Sequence, residues 1–136
     1  YFNNTEELFM TVKVIKANQN IASTTIVEDT SADSTLRANT TGDAGTLYSV
    51  EIDNTNNSNF VYFKLADSAN ASGSVALLTA SMIFPATGSS VISYNIPTGS
   101  IFVNGFSHWC VTGPEYSSTA NPTSDVVVRY TVIDAN

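Results

Sequence analysis

The sequence is poor in charge, and most of the charge it has is negative. Charged residues make up only 12% of the 136 residues, and 12 acids against 5 bases give a formal net charge of −7. Nucleic-acid and anionic-membrane binding both depend on clustered bases. The five bases are scattered, so we expect no nucleic-acid partner and no membrane partner. They are Lys13, Lys16, Arg37, Lys64 and Arg129.

Cysteine and histidine are also scarce, with one of each, Cys110 and His108. A single cysteine excludes an internal disulfide, so the domain must fold on its hydrophobic core. That is compatible with assembly inside a cell followed by release. One His and one Cys are too few ligands for a closed zinc site. The acidic stretches 28–33 and 51–53 lack the spacing of an EF-hand loop. We therefore expect no metal and no other cofactor.

No apolar run approaches the ~18 residues of a membrane-spanning helix, and no stretch keeps a helical period. Alternation of apolar and polar residues dominates instead, which predicts strands. The segments at 8–15, 46–53, 60–66 and 125–133 alternate clearly. We expect further strands at 21–28, 75–84, 90–96 and 101–112, where β-branched and aromatic residues are enriched.

Turn residues separate these segments, for example the Asn-rich stretch 54–59 and the Pro- and Gly-containing stretches 85–90 and 97–99. About eight strands without a significant helix predict an all-β fold, an antiparallel β-sandwich of jelly-roll type. We expect residues 1–136 to form one domain. The polar segments 1–7 and 28–44 are predicted to be exposed arms or loops.

The stretch "FSHWCV" (106–111) contains the only His, Trp and Cys of the chain. On a strand, His108 and Cys110 share a face, which is the minimum for a Cys–His nucleophilic pair. Such a pair also needs an orienting third group and an oxyanion site, and the middle of an apolar strand seldom offers them. A buried Cys usually behaves as a small hydrophobic residue. We therefore predict a packing role, no catalytic residue and no enzymatic activity.

Residues 54–133 show a recognisable order of blocks. "NTNNSNFVYFKLADSA" joins an Asn-rich turn to a strand, and "MIFPATGSSVISYNI" joins two strands through a Pro–Ala turn. "PTGSIFVNGFSHWCVTGPEYSSTANPTSDVVVRYTV" then adds a Gly-Phe strand, a late Thr–Gly loop and a Val-rich closing strand. This order resembles small β-sandwich virion structural proteins of tailed phages, especially aquatic and cyanobacterial ones. The resemblance implies a role at a particle surface rather than chemistry.

Three functions are compatible with these features. The first is a capsid decoration or cement protein, assembled in the host cytoplasm and located on the virion surface, that binds and stabilises the outer shell. Its partners would be the major capsid protein and sister subunits in a homotrimer, through Tyr1, Phe2, Arg37 and Tyr116. The second is a carbohydrate-binding adhesion module on a tail or head fibre, with a glycan on Tyr116 or Trp109. The third is a filament subunit joined by strand addition.

Overall fold

The computed structural model describes residues 5–9, 11–16 and 24–135. Within them, nine strands form a six-stranded and a three-stranded antiparallel sheet, so the predicted all-β sandwich is confirmed. The larger sheet has the order β1-β2-β3-β9-β4-β7 and the smaller one β6-β5-β8. The strands are β1 (Thr5–Phe9), β2 (Val12–Lys16), β3 (Thr24–Asp29), β4 (Gly45–Asp53), β5 (Val61–Asp67), β6 (Met82–Ala86), β7 (Val91–Phe102), β8 (Phe106–Val111) and β9 (Val127–Asp134).

The main core lies between the two sheets. Alternate side chains of the large sheet, such as Leu47, Ile52 and Tyr130, pack against Phe63 and Phe106 of the small sheet. A second cluster lies on the outer face of the small sheet, where Trp109 and Val111 pack under the loops around Leu36 and Val75. Both faces of the small sheet are therefore buried, which is why β8 has no exposed residue.

Two of the predicted strands have different boundaries. The segment 8–15 was expected to be one strand, but it spans parts of β1 and β2, which form an antiparallel pair with Phe9 opposite Val12. The sequence between them contains no Gly, Pro, Asn or Asp to indicate a turn. The segment 75–84 was also expected to be a strand. Residues Val75–Leu77 instead form a 3-10 turn capped by the Ser74 side chain, and β6 begins at Met82.

Strand β7 is longer than expected and includes the predicted loop 97–99. Opposite it, Leu47 pairs with Ser100 and Ser49 pairs with Asn95, so several residues of β7 bulge opposite one residue of β4. Gly99 has φ +76°, and a Cβ there would lie 2.3 Å from Cγ2 of Thr46. The bulge therefore requires glycine, both for its backbone conformation and for its close contact.

The segment 28–44 was predicted to be an exposed arm or loop; after β3 it is an irregular segment with exposed positions, but it is packed onto the domain rather than extended as a free arm. Ala32, Thr40 and Thr41 are buried. The backbone of this segment runs along the free edge of β8: Arg37 and His108 exchange two N–H···O bonds of 2.9 Å, and the amide of Cys110 donates to the Asp33 carbonyl. Part of the polarity of this segment therefore serves bonds inside the protein, although positions such as Thr35 and Asp43 are exposed.

Candidate functional site

The inward side of β8 holds a chain of buried hydrogen bonds centred on His108. Its Nε2 lies 2.9 Å from Oδ2 of Asp29, and its Nδ1 lies 2.9 Å from the hydroxyl of Tyr130. The Tyr130 hydroxyl is in turn 2.7 Å from Oγ1 of Thr40. Desolvation lowers the pKa of His108, and nearby Arg37 lowers it further, although Asp29 acts in the opposite direction. We therefore assign a neutral imidazole with its proton on Nε2, facing the Asp29 carboxylate.

Asp29 is the anion of this network. Burial raises its pKa, but hydrogen bonds from His108, Thr11 and the Ser31 amide outweigh burial and hold the pKa at about 2. Nε of Arg37 lies 3.2 Å from Oδ2 of Asp29, which places a cation against the buried carboxylate. The charge of Asp29 is thus balanced within the protein.

Arg37 was predicted to contact a partner, but it is only 7% exposed. Its guanidinium donates to the carbonyls of Thr35 and Ser31 at 2.8 and 2.9 Å, and it forms a second ion pair with Asp33 at 3.3 Å. The side chain is therefore occupied by intrachain bonds. The prediction of Arg37 as an interface residue is corrected accordingly.

The order Asp29–His108–Tyr130 has the connectivity of an acid–histidine–hydroxyl relay. A relay needs its hydroxyl to reach a substrate, yet all three residues are fully buried. The Tyr130 hydroxyl faces Thr40 rather than solvent. Desolvation also raises the pKa of Tyr130, so its phenol stays protonated. The arrangement ties β3, β8, β9 and the 28–44 segment together, which is a structural role.

Cys110 does not form the nucleophilic pair that its position beside His108 would allow. Both ring nitrogens of His108 are engaged by other groups. Desolvation, with Asp29 and Asp33 nearby, strongly raises the pKa of the thiol. Cys110 packs with the main core instead.

Cys110→Ala is therefore expected to lower the free energy of unfolding by about 1–2 kcal/mol through lost packing, and to leave function intact. In the native wild type, the thiol should not react with Ellman's reagent, and it should react fully in denaturant. The unfolding midpoint in urea and the absorbance of released thionitrobenzoate measure the two effects. Rapid labelling of the native protein would contradict the burial of this thiol.

Lys64 is a buried group that the sequence did not single out. It lies opposite Trp109 on the outer face of the small sheet, and its side chain is fully buried. The amine donates to the Glu115 carbonyl, which fastens the 112–125 loop over the sheet. Desolvation lowers the pKa of Lys64. The alternation of 60–66 placed Lys64 on the face expected to be polar, and nothing in the sequence indicated that a loop covers that face.

The acidic stretches are engaged separately rather than gathered around a cation. Glu28 and Glu51 both bind Arg129 on the outer face of the large sheet. Asp53 accepts from the amide and hydroxyl of Thr55. In the described part of the chain, no three His, Cys, Asp or Glu side chains are grouped to hold a metal, and no helix is long and apolar enough to cross a membrane.

The predicted aromatic platform does not form. Trp109 is fully buried, whereas Tyr116 is 56% exposed on the 112–125 loop. Tyr1 and Phe2, predicted interface residues, lie outside the described residues. A shallow depression of 260 Å³ does lie on the outer face of the large sheet. Its polar lining includes Ser49, Glu51, Ser93, Asn95, Arg129 and Thr131.

One end of the sandwich carries exposed aliphatic side chains on a well-fixed turn. Ile101 and Val103, at the β7–β8 connection, are 74% and 68% exposed. The Asp67 carboxylate accepts from the amides of Val103, Asn104 and Gly105, at 3.1, 2.8 and 3.3 Å. The sequence did not indicate this turn, because residues 101–112 were predicted to form one strand.

Comparisons with protein-family models, curated proteins and solved structures found no match for this chain.

Proposed function

We propose that this protein is a non-catalytic structural protein of a virus particle that binds the outer shell and stabilises it. The observation that supports this most is the pair of exposed aliphatic side chains at the β7–β8 connection, Ile101 near the end of β7 and Val103 on the hydrogen-bonded turn 103–105. Large aliphatic side chains that are exposed on a fixed support are suited to burial against a protein partner. The chemically versatile residues of the chain, His108 and Cys110, are occupied inside the fold.

The fixed turn makes binding less costly in entropy. Three amides held by one carboxylate order the backbone before contact, so little conformational freedom remains to be lost on binding. Desolvation of Ile101 and Val103 then contributes fully to affinity. A protein that binds only the assembled shell stabilises it by mass action, without any chemical step. The surface at Ile101 and Val103 is therefore the proposed contact with the shell. The 28–44 segment is not, because it is packed within the chain.

The proposal is tested first by mass spectrometry of purified particles, with the copy number of this chain measured against the major shell protein. We expect a ratio close to a simple fraction of the shell subunits. Absence from intact particles would overturn the proposal. A glycan array would then test the adhesion alternative, for which Tyr116 is the exposed aromatic residue named from the sequence.

Ile101→Ser combined with Val103→Ser is expected to weaken binding to particles that lack this protein by at least about tenfold, because two aliphatic side chains no longer leave water. Leu77→Ser is the matched control, since Leu77 is 85% exposed on a different loop. Co-sedimentation with particles measures binding, and thermal unfolding verifies the fold of each variant. Equal binding by the double variant and the control would exclude this turn as the contact.

A further inference from the structure

Strand β7 forms one edge of the six-stranded sheet, and among the described strands only β4 pairs with its regular part, residues 91–95. We propose that this edge pairs antiparallel with the same edge of a second copy of the chain, around a twofold axis at Ser93. The two large sheets would then join into one continuous sheet. This dimer does not depend on the proposed shell contact, because it uses the opposite end of β7.

The register with β4 determines which backbone N–H and C=O groups of β7 point away from the sheet. The amide of Asn54 donates to the Ser90 carbonyl at 2.8 Å, one position beyond the pair Asp53–Val91. Hydrogen-bonded and non-bonded pairs alternate along an antiparallel ladder. The N–H and C=O groups of Val91, Ser93 and Asn95 therefore point away from β4. A twofold axis at Ser93 pairs Ser93 with its counterpart, and Val91 with Asn95 of the second copy.

The inward side chains of this strand are incompletely covered. Ile92, Tyr94 and Ile96 pack against the core but stay partly exposed, as does Met82 on the neighbouring β6. Strand β6 of the small sheet covers this margin only in part: the Phe84 ring contacts the Tyr94 ring, and the Tyr94 hydroxyl donates to the Pro85 carbonyl. A second copy at the β7 edge would bury these apolar side chains further.

The charge distribution favours self-pairing at this edge over the others. Residues 91–95 carry no charge in a chain whose net charge is −7. The sequence of the opposite edge strand, β1, contains two acidic residues, Glu6 and Glu7, and like charges on paired strands disfavour self-pairing. The edge of β8 is occupied by the Arg37 segment, and β6 contains Pro85, which lacks an amide proton. The β7 edge is thus uncharged and has a backbone amide at each of its outward positions, so two acidic copies can share it.

The contact is short, because the bulge at 96–99 and Pro97 end the regular ladder. Five paired residues on each side correspond to a small interface, so we expect a reversible dimer with micromolar affinity rather than a permanent one. Its twofold symmetry differs from the threefold symmetry expected from the sequence. Sedimentation equilibrium distinguishes a dimer from a trimer.

Sedimentation equilibrium of the full chain, over roughly 1–500 µM, tests the proposal. Wild type should fit a monomer–dimer equilibrium. Ser93→Lys places two ammonium groups opposite each other at the axis and should weaken dimerisation at least about tenfold. Thr131→Lys is the matched control: it adds the same charge to the same sheet face, two strands from the edge, and should still dimerise.

Mixing Ser93→Lys with Ser93→Glu should restore dimers, because opposite charges then meet at the axis. A wild type that stays monomeric at the highest concentration would overturn the proposal. A trimer or an open-ended series of larger species would also overturn it, in favour of threefold assembly or filament growth. Equal weakening by Ser93→Lys and Thr131→Lys would likewise exclude the β7 edge.

Discussion

Asp29→Asn is expected to lower the free energy of unfolding by about 3–5 kcal/mol, the largest effect we expect from a single substitution in this chain. The change removes the buried anion and leaves the nearly buried guanidinium of Arg37 without its closest counter-ion. An amide also cannot accept everything that the carboxylate accepts. Asp29 receives bonds from Thr11, the Ser31 amide and His108, and an Asn would direct a donor at one of them.

Asp33→Asn is the matched control for this prediction. Asp33 also forms an ion pair with Arg37, at 3.3 Å, but its side chain is 37% exposed. A partly exposed ion pair contributes little, so we expect a loss of less than about 1 kcal/mol. Urea unfolding at neutral pH, followed by tryptophan fluorescence, measures both variants. Equal losses from the two substitutions would show that burial of Asp29 is not the source of its contribution.

The sequence predicted the class of fold because alternation reports directly on burial in a sheet. It also predicted a packing role for Cys110, which lies in the main core. His108 was given the same role, but it is the centre of buried hydrogen bonds instead. The sequence could not predict Asp29 and Tyr130 as the partners of His108. Those residues lie on β3 and β9, and the contact depends on how two sheets stack, which no local pattern encodes.

The errors of prediction have a common physical cause. The 28–44 segment is polar, and polarity was taken to indicate exposure, yet Arg37 and Thr40 are buried and form hydrogen bonds inside the protein. Residues 97–99 contain Pro and Gly, which usually mark a loop, and here they form a bulge within β7. In both places, contacts with distant parts of the chain provide the hydrogen bonds that the local sequence does not predict.

Acid sensitivity follows from the buried His108. Its pKa in the folded protein is below the ordinary 6.5, first because of desolvation. The unfolded chain therefore binds a proton on this residue at a higher pH than the folded chain does. Stability is fully present above pH 6.5 and falls as the pH drops below it. The loss is about 1.4 kcal/mol for each pH unit over which the folded imidazole remains neutral.

Two carboxylates, Asp29 and Asp134, also make the free energy of unfolding depend on pH in the acidic range. The pKa of Asp29 is about 2, so its contribution to stability is lost only below the ordinary Asp value of 3.8. Asp134 acts in the opposite direction, because desolvation raises its pKa and its protonation on acidification favours the folded state. Asp134 does not affect a comparison between wild type and a His108 variant, since both proteins contain it. Asp29 bonds to His108, so the comparison is confined to pH values above the ordinary Asp value of 3.8.

His108→Gln isolates the contribution of the imidazole. Gln does not titrate, so the variant should lose the decline in stability that His108 causes below pH 6.5, whatever its stability at neutral pH. Urea unfolding at half-unit pH intervals measures the slope for both proteins. Because the neutral imidazole bonds to Asp29, Tyr130 and, through Tyr130, Thr40, its protonation disturbs three elements at once. Parallel pH profiles for the two proteins would mean that His108 is protonated equally in the folded and unfolded states, contrary to its burial.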